Sequence, residues 1–224
     1  MKKIILIFAI ISTTVLNAQQ PIEKSIGEFT ELKVYDLIEV DLIHSDVNKV
    51  IISGKNTEDV VVVNNNGKLK IRMTLEKSFD GDQTTVEVHY TVVDIIDANE
   101  GATISSKEII KQFEIDLRTQ EGGKINLDVD VSYANIKAVS GGRIEATGKA
   151  KTQSVSINSG GVYLAKGLVT ESTKVTIKAA GEAHINATEV ADVKVRAGGN
   201  VFVYGNPTTL IENKVLGGNI KRMD

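Results

Sequence analysis

The chain has 224 residues, with no cysteine, two prolines and 19 glycines, and aromatic residues make up 4% of it. We therefore expect no disulfide framework, no zinc site built on thiolates and no lipid-modified cysteine. The formal net charge of −3 gives no reason to expect nucleic-acid binding. Abundant valine and isoleucine with few aromatic residues favour a β-solenoid filled by aliphatic side chains.

The segment Met1–Ala18 has the pattern of a secretory signal peptide. Lys2 and Lys3 form a basic start, Ile4–Ile11 is apolar, and Ala18 supplies a small residue at the cleavage site. The apolar run is too short to span a bilayer of ~30 Å, so we predict no membrane span in the mature chain. We expect the protein to be exported to the periplasm, to the outer surface or to the medium.

Residues 19–92 contain strand-like segments without a regular repeat. Apolar residues alternate in Phe29–Ile43 and in Leu69–Met73, and Asn64–Gly67 between strands has the composition of a turn. This part predicts either irregular first coils or an antiparallel cap, which a solenoid needs because an open end exposes its core. We predict one domain over residues 19–224, with regular coils over 93–224. Ser105–Phe113 is compatible with one helical turn between coils.

A two-residue step rich in glycine recurs along the second half of the chain. Its second members are 18 to 21 residues apart, and apolar and polar residues alternate on both sides of it. This alternation indicates strands with one buried side, and the period suits one coil of a parallel β-helix. The seven steps are Gly101-Ala102, Gly122-Gly123, Gly141-Gly142, Gly160-Gly161, Ala180-Gly181, Gly198-Gly199 and Gly217-Gly218.

These observations predict an all-β fold, a single-stranded parallel β-helix of about seven coils that the N-terminal strands cap or extend. Adjacent coils should stack at ~4.8 Å, the usual strand spacing. We predict that Gly142 and Gly161 occupy bends that need positive φ or close approach of the next coil. Ala102 and Ala180 must avoid positive φ or tolerate some strain.

The order of these elements resembles the head GIN domain family, whose members are described as putative auto-transporter adhesins. The resemblance rests on FTELKVYDLIEVDLIHSD at 29–46, KVIISG at 49–54, GKLKIRM at 67–73, Gly-Ala-Thr-Ile at 101–104 and the coils that follow, and it covers about Phe29 to Ile220. It implies a right-handed β-helix and a secreted protein of Bacteroidetes-type bacteria. It brings no enzymatic residues to this chain.

Residues that could suggest metal or acid–base chemistry have simpler explanations. Asp80–Asp82 lacks the remaining ligands of a calcium loop and is typical of a turn. Asp128 and Asp130 alternate with apolar residues, as solvated strand residues do. The three histidines, His44, His89 and His184, are far apart in the sequence and have no metal-ligand spacing. We predict no catalytic residue, no metal site and no cofactor.

Two outward-facing rows are candidates for interaction. Arg118, Lys137 and Lys194 recur at one outward position, which predicts either a basic ladder for an acidic polysaccharide or a solvated face. In the later coils the outward positions become apolar or aromatic instead of polar. We name this set the aromatic face; it consists of Val162, Leu164, His184, Phe202 and Tyr204.

Exposed apolar groups often mark an interaction surface. We therefore predict that the aromatic face is a dimer contact or a docking site for an envelope protein or glycan. The alternatives are that another segment covers the face, or that a bulge turns it inward. We predict a non-catalytic extracytoplasmic binding or structural module at the cell envelope, of an adhesin-like kind. The alternative function is a polysaccharide lyase or hydrolase, because β-helices also carry such enzymes.

Overall fold

The computed structural model describes residues 20–223, so the predicted signal peptide lies outside the described residues. The chain folds into a β-solenoid of about seven turns, which confirms the predicted fold class. Residues 20–223 include no helix that is long and apolar enough to cross a membrane. The strands are β1 Ile22–Ser25, β2 Glu31–Val34, β3 Glu39–His44, β4 Lys49–Gly54, β5 Val60–Asn65, β6 Lys68–Met73, β7 Thr84–Tyr90, β8 Ile95–Ala98, β9 Thr103–Thr119, β10 Lys124–Val139, β11 Arg143–Asn158, β12 Val162–Ile177, β13 Glu182–Ala197, β14 Asn200–Tyr204, β15 Thr209–Leu216 and β16 Asn219–Arg222.

The long strands β9 to β13 each pair in parallel with the next strand along the chain. Each strand has two runs of alternating burial, and the alternation breaks between them at a corner. In β10 the buried residues of the first run end at Val131 and those of the second run begin at Ala134. A coil therefore consists of two strand runs, joined by a corner on one side and by the glycine step on the other.

The first coils do not stack in the order of the sequence. The coil built from β2 and β3 lies between two others, because β2 pairs in parallel with β6 and β8 while β3 pairs with β7 and β9. The strands β1, β4 and β5 are antiparallel to their neighbours and lie at the start of the solenoid. The N-terminal part therefore contains both parallel coils and antiparallel covering strands.

All seven glycine steps have positive φ at two successive residues, and in the first four these are the residue before the step and its first glycine. In the turn at 158–161, Ser159 and Gly160 have φ of 50° and 77°, and Gly161 N–H donates to the Asn158 carbonyl at 3.2 Å. These features identify a type I′ turn. Gly161 itself packs against the preceding coil, because an added Cβ would lie 2.2 Å from the Ala138 carbonyl oxygen. Ala180 has φ of 47°, so this bend tolerates the strain.

The predicted helical turn at 105–113 is wrong, because strand β9 continues through it. The pairing of β9 with β10 is in register up to Ser105, shifts, and resumes at Ile109. A bulge therefore absorbs the extra residues that make this repeat longer than the others. The backbone stays extended, so the coil keeps its hydrogen bonds to the next coil on both sides of the shift.

A chain of hydrogen-bonded side chains lies inside the solenoid, where the sequence pattern predicts only apolar packing. The Tyr163 hydroxyl donates to Gln153 Oε1 at 2.8 Å, and Gln153 Nε2 donates to Thr173 Oγ1 at 2.9 Å. Thr173 and Thr170 hydroxyl oxygens are 2.7 Å apart, and Thr170 donates to the Asn186 carbonyl oxygen. Burial raises the pKa of the Tyr163 hydroxyl, so it remains a proton donor in this chain.

Candidate functional site

The aromatic face lies on the first strand runs of β12, β13 and β14, where parallel pairing brings its members together. Leu164 pairs with His184, and His184 pairs with Phe202. The residues on either side of Phe202, Val201 and Val203, are fully buried, which leaves Phe202 on the outer side of the strand. All five residues of the face are partly exposed in the described part of the chain.

The rings of the face stack on one another. The His184 and Phe202 ring centroids are 4.5 Å apart with an interplanar angle of 27°, and those of His184 and Tyr204 are 5.9 Å apart at 20°. Lys166 Nζ lies 5.0 Å from the Tyr204 centroid, as a cation over the ring face. The His184 ring therefore stacks on two aromatic rings, and the Tyr204 ring also meets a cation.

Hydrogen bonds fix the His184 ring within the face. Its Nε2 is 2.9 Å from Glu182 Oε1, and its Nδ1 is 3.3 Å from the Tyr204 hydroxyl. A neutral imidazole satisfies both contacts when Nε2–H donates to the carboxylate and Nδ1 accepts from the hydroxyl. The imidazole orientation is thus set before any partner binds.

Charged residues bound the aromatic face at both ends of its column. Glu145 pairs with Leu164 on one side, and Lys221 pairs with Phe202 on the other. A shallow depression of about 230 Å³ lies beside Leu164 and His184, lined in part by Thr147 and Lys166. An apolar strip between an acidic and a basic residue suits a partner with a matching apolar strip.

A second apolar surface lies where β9 and β10 turn their corners, and the sequence analysis missed it. We name it the corner cleft; its exposed apolar side chains are Val92, Ile109, Phe113 and Tyr133. The Phe113 and Tyr133 ring centroids are 5.2 Å apart at 62°, and 69% of Phe113 is exposed. Two depressions of about 690 and 470 Å³ adjoin it, with Asp94 and Gln112 lining both.

Period-two alternation breaks at a corner, so the pattern that reveals the aromatic face cannot reveal the corner cleft. The available signal was the excess of apolar residues in Ile109–Phe113, which the sequence analysis assigned to a helical turn. The bulge in β9 sets the register of this segment. The position of Phe113 follows from that bulge, which the sequence analysis did not predict.

The predicted basic row is in register, but acidic residues accompany it. Lys137 pairs with Arg118 on one side and Ser156 on the other. Arg118 forms two hydrogen bonds to Asp116, and these bonds raise the pKa of its guanidinium. On the preceding coil, the buried Asp97 pairs in register with Arg118. Lys33 donates a hydrogen bond to Asp97 at 2.8 Å. The row therefore contains both basic and acidic side chains, and ion pairs within the protein neutralise part of its positive charge.

The other candidate groups are dispersed over the surface. Asp130 pairs with Lys149 at 3.2 Å across adjacent coils. Asp80 pairs with Lys77 at 3.3 Å in the turn that follows β6. Within residues 20–223, no three histidine or acidic side chains come together as a group that could hold a metal ion.

Residues 28–207 match the family described as "Putative auto-transporter adhesin, head GIN domain". The match covers most of the chain, and the chain belongs to this family. A search of curated proteins gives no match.

Solved structures share the fold at low sequence identity. A putative adhesin from Bacteroides fragilis is 16% identical with a TM-score of 0.82, covering 91% of this chain and 96% of its own. A putative adhesin from Parabacteroides distasonis is 16% identical with a TM-score of 0.72, covering 91% of this chain and 96% of its own. A protein from the same species described as a putative lipid binding protein is 15% identical with a TM-score of 0.68, covering 92% and 98%. These similarities establish a common solenoid.

Proposed function

We propose that this protein is a non-catalytic, adhesin-like binding module that acts outside the cytoplasm, at the cell envelope. The family membership and the names of the neighbouring adhesins support the class, and the predicted signal peptide supports export. The observation that carries the proposal is the aromatic face, a column of stacked rings on the outside of an otherwise polar sheet. Such exposed apolar strips rimmed by charge are typical of interaction sites.

The partner at the aromatic face is an envelope protein with an apolar strip of its own. Sugar recognition by aromatic side chains uses the flat face of a ring, whereas here the His184 and Phe202 faces stack on each other. The Tyr204 face is shared with Lys166. The edges that remain, together with Leu164, offer an apolar ridge whose ordered side chains lose little conformational freedom on binding.

A second binding function is favoured by the geometry of the corner cleft, namely attachment of a glycan. The ring of Phe113 is largely exposed, and its cleft contains the polar groups of Asp94, Gln112 and Glu114. Carboxylates and amides of this kind accept and donate hydrogen bonds to hydroxyl groups. Cleft volumes of 300–1,000 Å³ are usual for small ligands, and both depressions here fall within that range.

One capture experiment tests both surfaces at once. The wild-type protein is immobilised and exposed to envelope fragments that are untreated, treated with protease, or treated with periodate to oxidise sugars. The variants are Leu164→Asp/Phe202→Asp for the aromatic face and Phe113→Ala for the corner cleft. The control, Lys124→Asp/Asn126→Asp, places carboxylates at two exposed outward positions of β10 away from both surfaces.

We expect the aromatic-face variant to lose the protease-sensitive capture and Phe113→Ala to lose the periodate-sensitive capture. The control should retain both, since its changes leave both surfaces intact. Unchanged protease-sensitive capture by the Leu164→Asp/Phe202→Asp protein would refute the proposal for the aromatic face. Unchanged periodate-sensitive capture by Phe113→Ala would refute the glycan site.

The enzymatic alternative depends on the depression of about 410 Å³ beside Arg118. It brings a carboxylate, Asp116, close to the basic groups of Arg118 and Lys137, the residue types that a lyase or hydrolase uses. Asp116 and Arg118 form an ion pair with each other, so two of these three groups are already engaged within the protein. Assays for unsaturated products and for new reducing ends on a panel of acidic polysaccharides decide the matter. Turnover that disappears in Arg118→Ala would refute the non-catalytic assignment.

A further inference from the structure

The last described coil of the solenoid ends in an unpaired strand edge. Strand β15 pairs in parallel with β13 on one side, and no strand within residues 20–223 pairs with its other side. The exposed fractions of Ile211, Val215 and Leu216 are 51%, 62% and 74%. An edge of this length that carries exposed apolar side chains is a template for pairing with another strand.

The interior rows of the solenoid end in charged residues at this edge. One buried row passes through Ile136, Val155, Val175 and Val193, and its next position, paired with Val193, is Glu212. The adjacent row reaches Lys214 in the same way, through Val195. Both side chains are exposed on β15. Charges at inward positions block a further coil of the usual aliphatic kind, but they would be compatible with a strand carrying the opposite charges.

The sequence of β15 supplies that complementary strand itself. The segment Leu210–Leu216 reads Leu-Ile-Glu-Asn-Lys-Val-Leu and is symmetric in character about Asn213. If two copies pair antiparallel with Asn213 opposite Asn213, Glu212 faces Lys214, Ile211 faces Val215 and Leu210 faces Leu216. Antiparallel partners point to the same side of a sheet, so inward positions meet inward positions in this register.

We propose that β15 is the interface of a two-fold symmetric homodimer, in which the last coils of two molecules pair antiparallel about Asn213. The partner is a second copy of this chain, because one register satisfies the opposite charges and both pairs of apolar residues at once. Each dimer contains the Glu212–Lys214 pair twice, as two-fold symmetry requires. The two solenoids then continue across the junction as one sheet, and the open edge is removed.

Charge reversal tests this register. Glu212→Lys places two lysines opposite each other twice per dimer, and Lys214→Glu does the same with two acidic residues. Like charges directly opposite destabilise a strand pair, so we expect each single variant to weaken the dimer by roughly tenfold or more in analytical ultracentrifugation. The double variant Glu212→Lys/Lys214→Glu restores opposite charges and should recover wild-type dimerisation. A monomeric wild-type protein, or single variants that dimerise as well as wild type, would overturn the proposal.

Cysteine substitution provides an independent check, since the chain has no cysteine of its own. Asn213→Cys places two thiols beside the two-fold axis, where a short bismaleimide should link the copies. Thr209→Cys is the control, because its two copies would be about 27 Å apart at ~3.4 Å per residue. Efficient linking at both positions, or at neither, would contradict the predicted register.

Discussion

The close packing of successive coils makes a sharp prediction for the glycine step at Gly160-Gly161. In Gly161→Ala the new Cβ would lie 2.2 Å from the Ala138 carbonyl oxygen and 2.5 Å from its carbonyl carbon. Since ordinary contacts begin at 3.4 Å, the coils must separate by about 1.2 Å, the difference between 3.4 Å and 2.2 Å. Such a shift strains the bonds from Val162 N–H to Gly142 and from Glu182 N–H to Gly161, at 2.9 and 3.1 Å.

Overpacking costs ~1–3 kcal/mol, and weakening the two hydrogen bonds adds about 1 kcal/mol in total. We therefore expect Gly161→Ala to lower the free energy of unfolding by roughly 2–4 kcal/mol. Gly160→Ala is the matched control: nothing lies within 4 Å of its added Cβ, and only its φ of +77° opposes the change. Its cost should be about 1–2 kcal/mol. Urea unfolding followed by circular dichroism measures both, and a Gly161→Ala protein as stable as Gly160→Ala would refute the close-approach argument.

Two further predictions concern polar groups that are fully or partly buried. Tyr163→Phe should lower the free energy of unfolding by about 1–3 kcal/mol in urea, because it removes the donor to the fully buried Gln153 Oε1; no loss would mean that the contact adds nothing. Partial burial and the nearby Asp36 carboxylate raise the pKa of Glu100 above the ordinary value for a glutamate. The folded protein therefore binds this proton more tightly than the unfolded chain, and the contribution of Glu100 to stability falls as pH rises from the ordinary pKa through the raised one. Glu100→Gln should therefore raise Tm relative to wild type at pH 7, with the difference shrinking toward pH 4, whereas the exposed control Glu171→Gln should change little; an unchanged or lower Tm at pH 7 would contradict this.

The regular coils could be predicted from the sequence because both of their signals are local. Period-two alternation assigns Ile144 and Val155 to the inside, and the glycine step marks the turns. The same parity argument assigned Leu164, His184 and Phe202 to one outward column, and the strand register gives that arrangement. Whether this column binds a partner stays a prediction.

Other features depend on contacts between distant segments, and local patterns could not reveal them. Strands β6 and β7 stack outside β2 and β3. Several strands have the same alternation of apolar and polar residues, so the sequence pattern does not tell which of them pair in parallel. The polar chain from Tyr163 to Thr173 requires the relative positions of two coils and their side-chain conformations. The corner cleft was missed because alternation stops at corners, which is where Phe113 becomes exposed.

The two proposals together predict bivalent attachment. The two-fold axis of this dimer is perpendicular to the sheet that contains β15. Rotation about it leaves the opposite sheet, which carries the aromatic face, on the same side in both copies. The two aromatic faces would then lie on one side of the dimer. Phe202 pairs with Lys221 of the last coil, so two last coils separate Phe202 from its symmetry mate by three strand spacings, about 14 Å along the solenoid.

Two linked sites bind a surface more tightly than one, because the second contact forms at high effective concentration. Glu212→Lys should therefore weaken retention on immobilised envelope fragments at least tenfold, while leaving binding to a soluble, monovalent partner unchanged. The double variant Glu212→Lys/Lys214→Glu should restore retention. If the single variant is a monomer and is still retained like wild type, the sites act singly, and the dimer has another purpose than avidity.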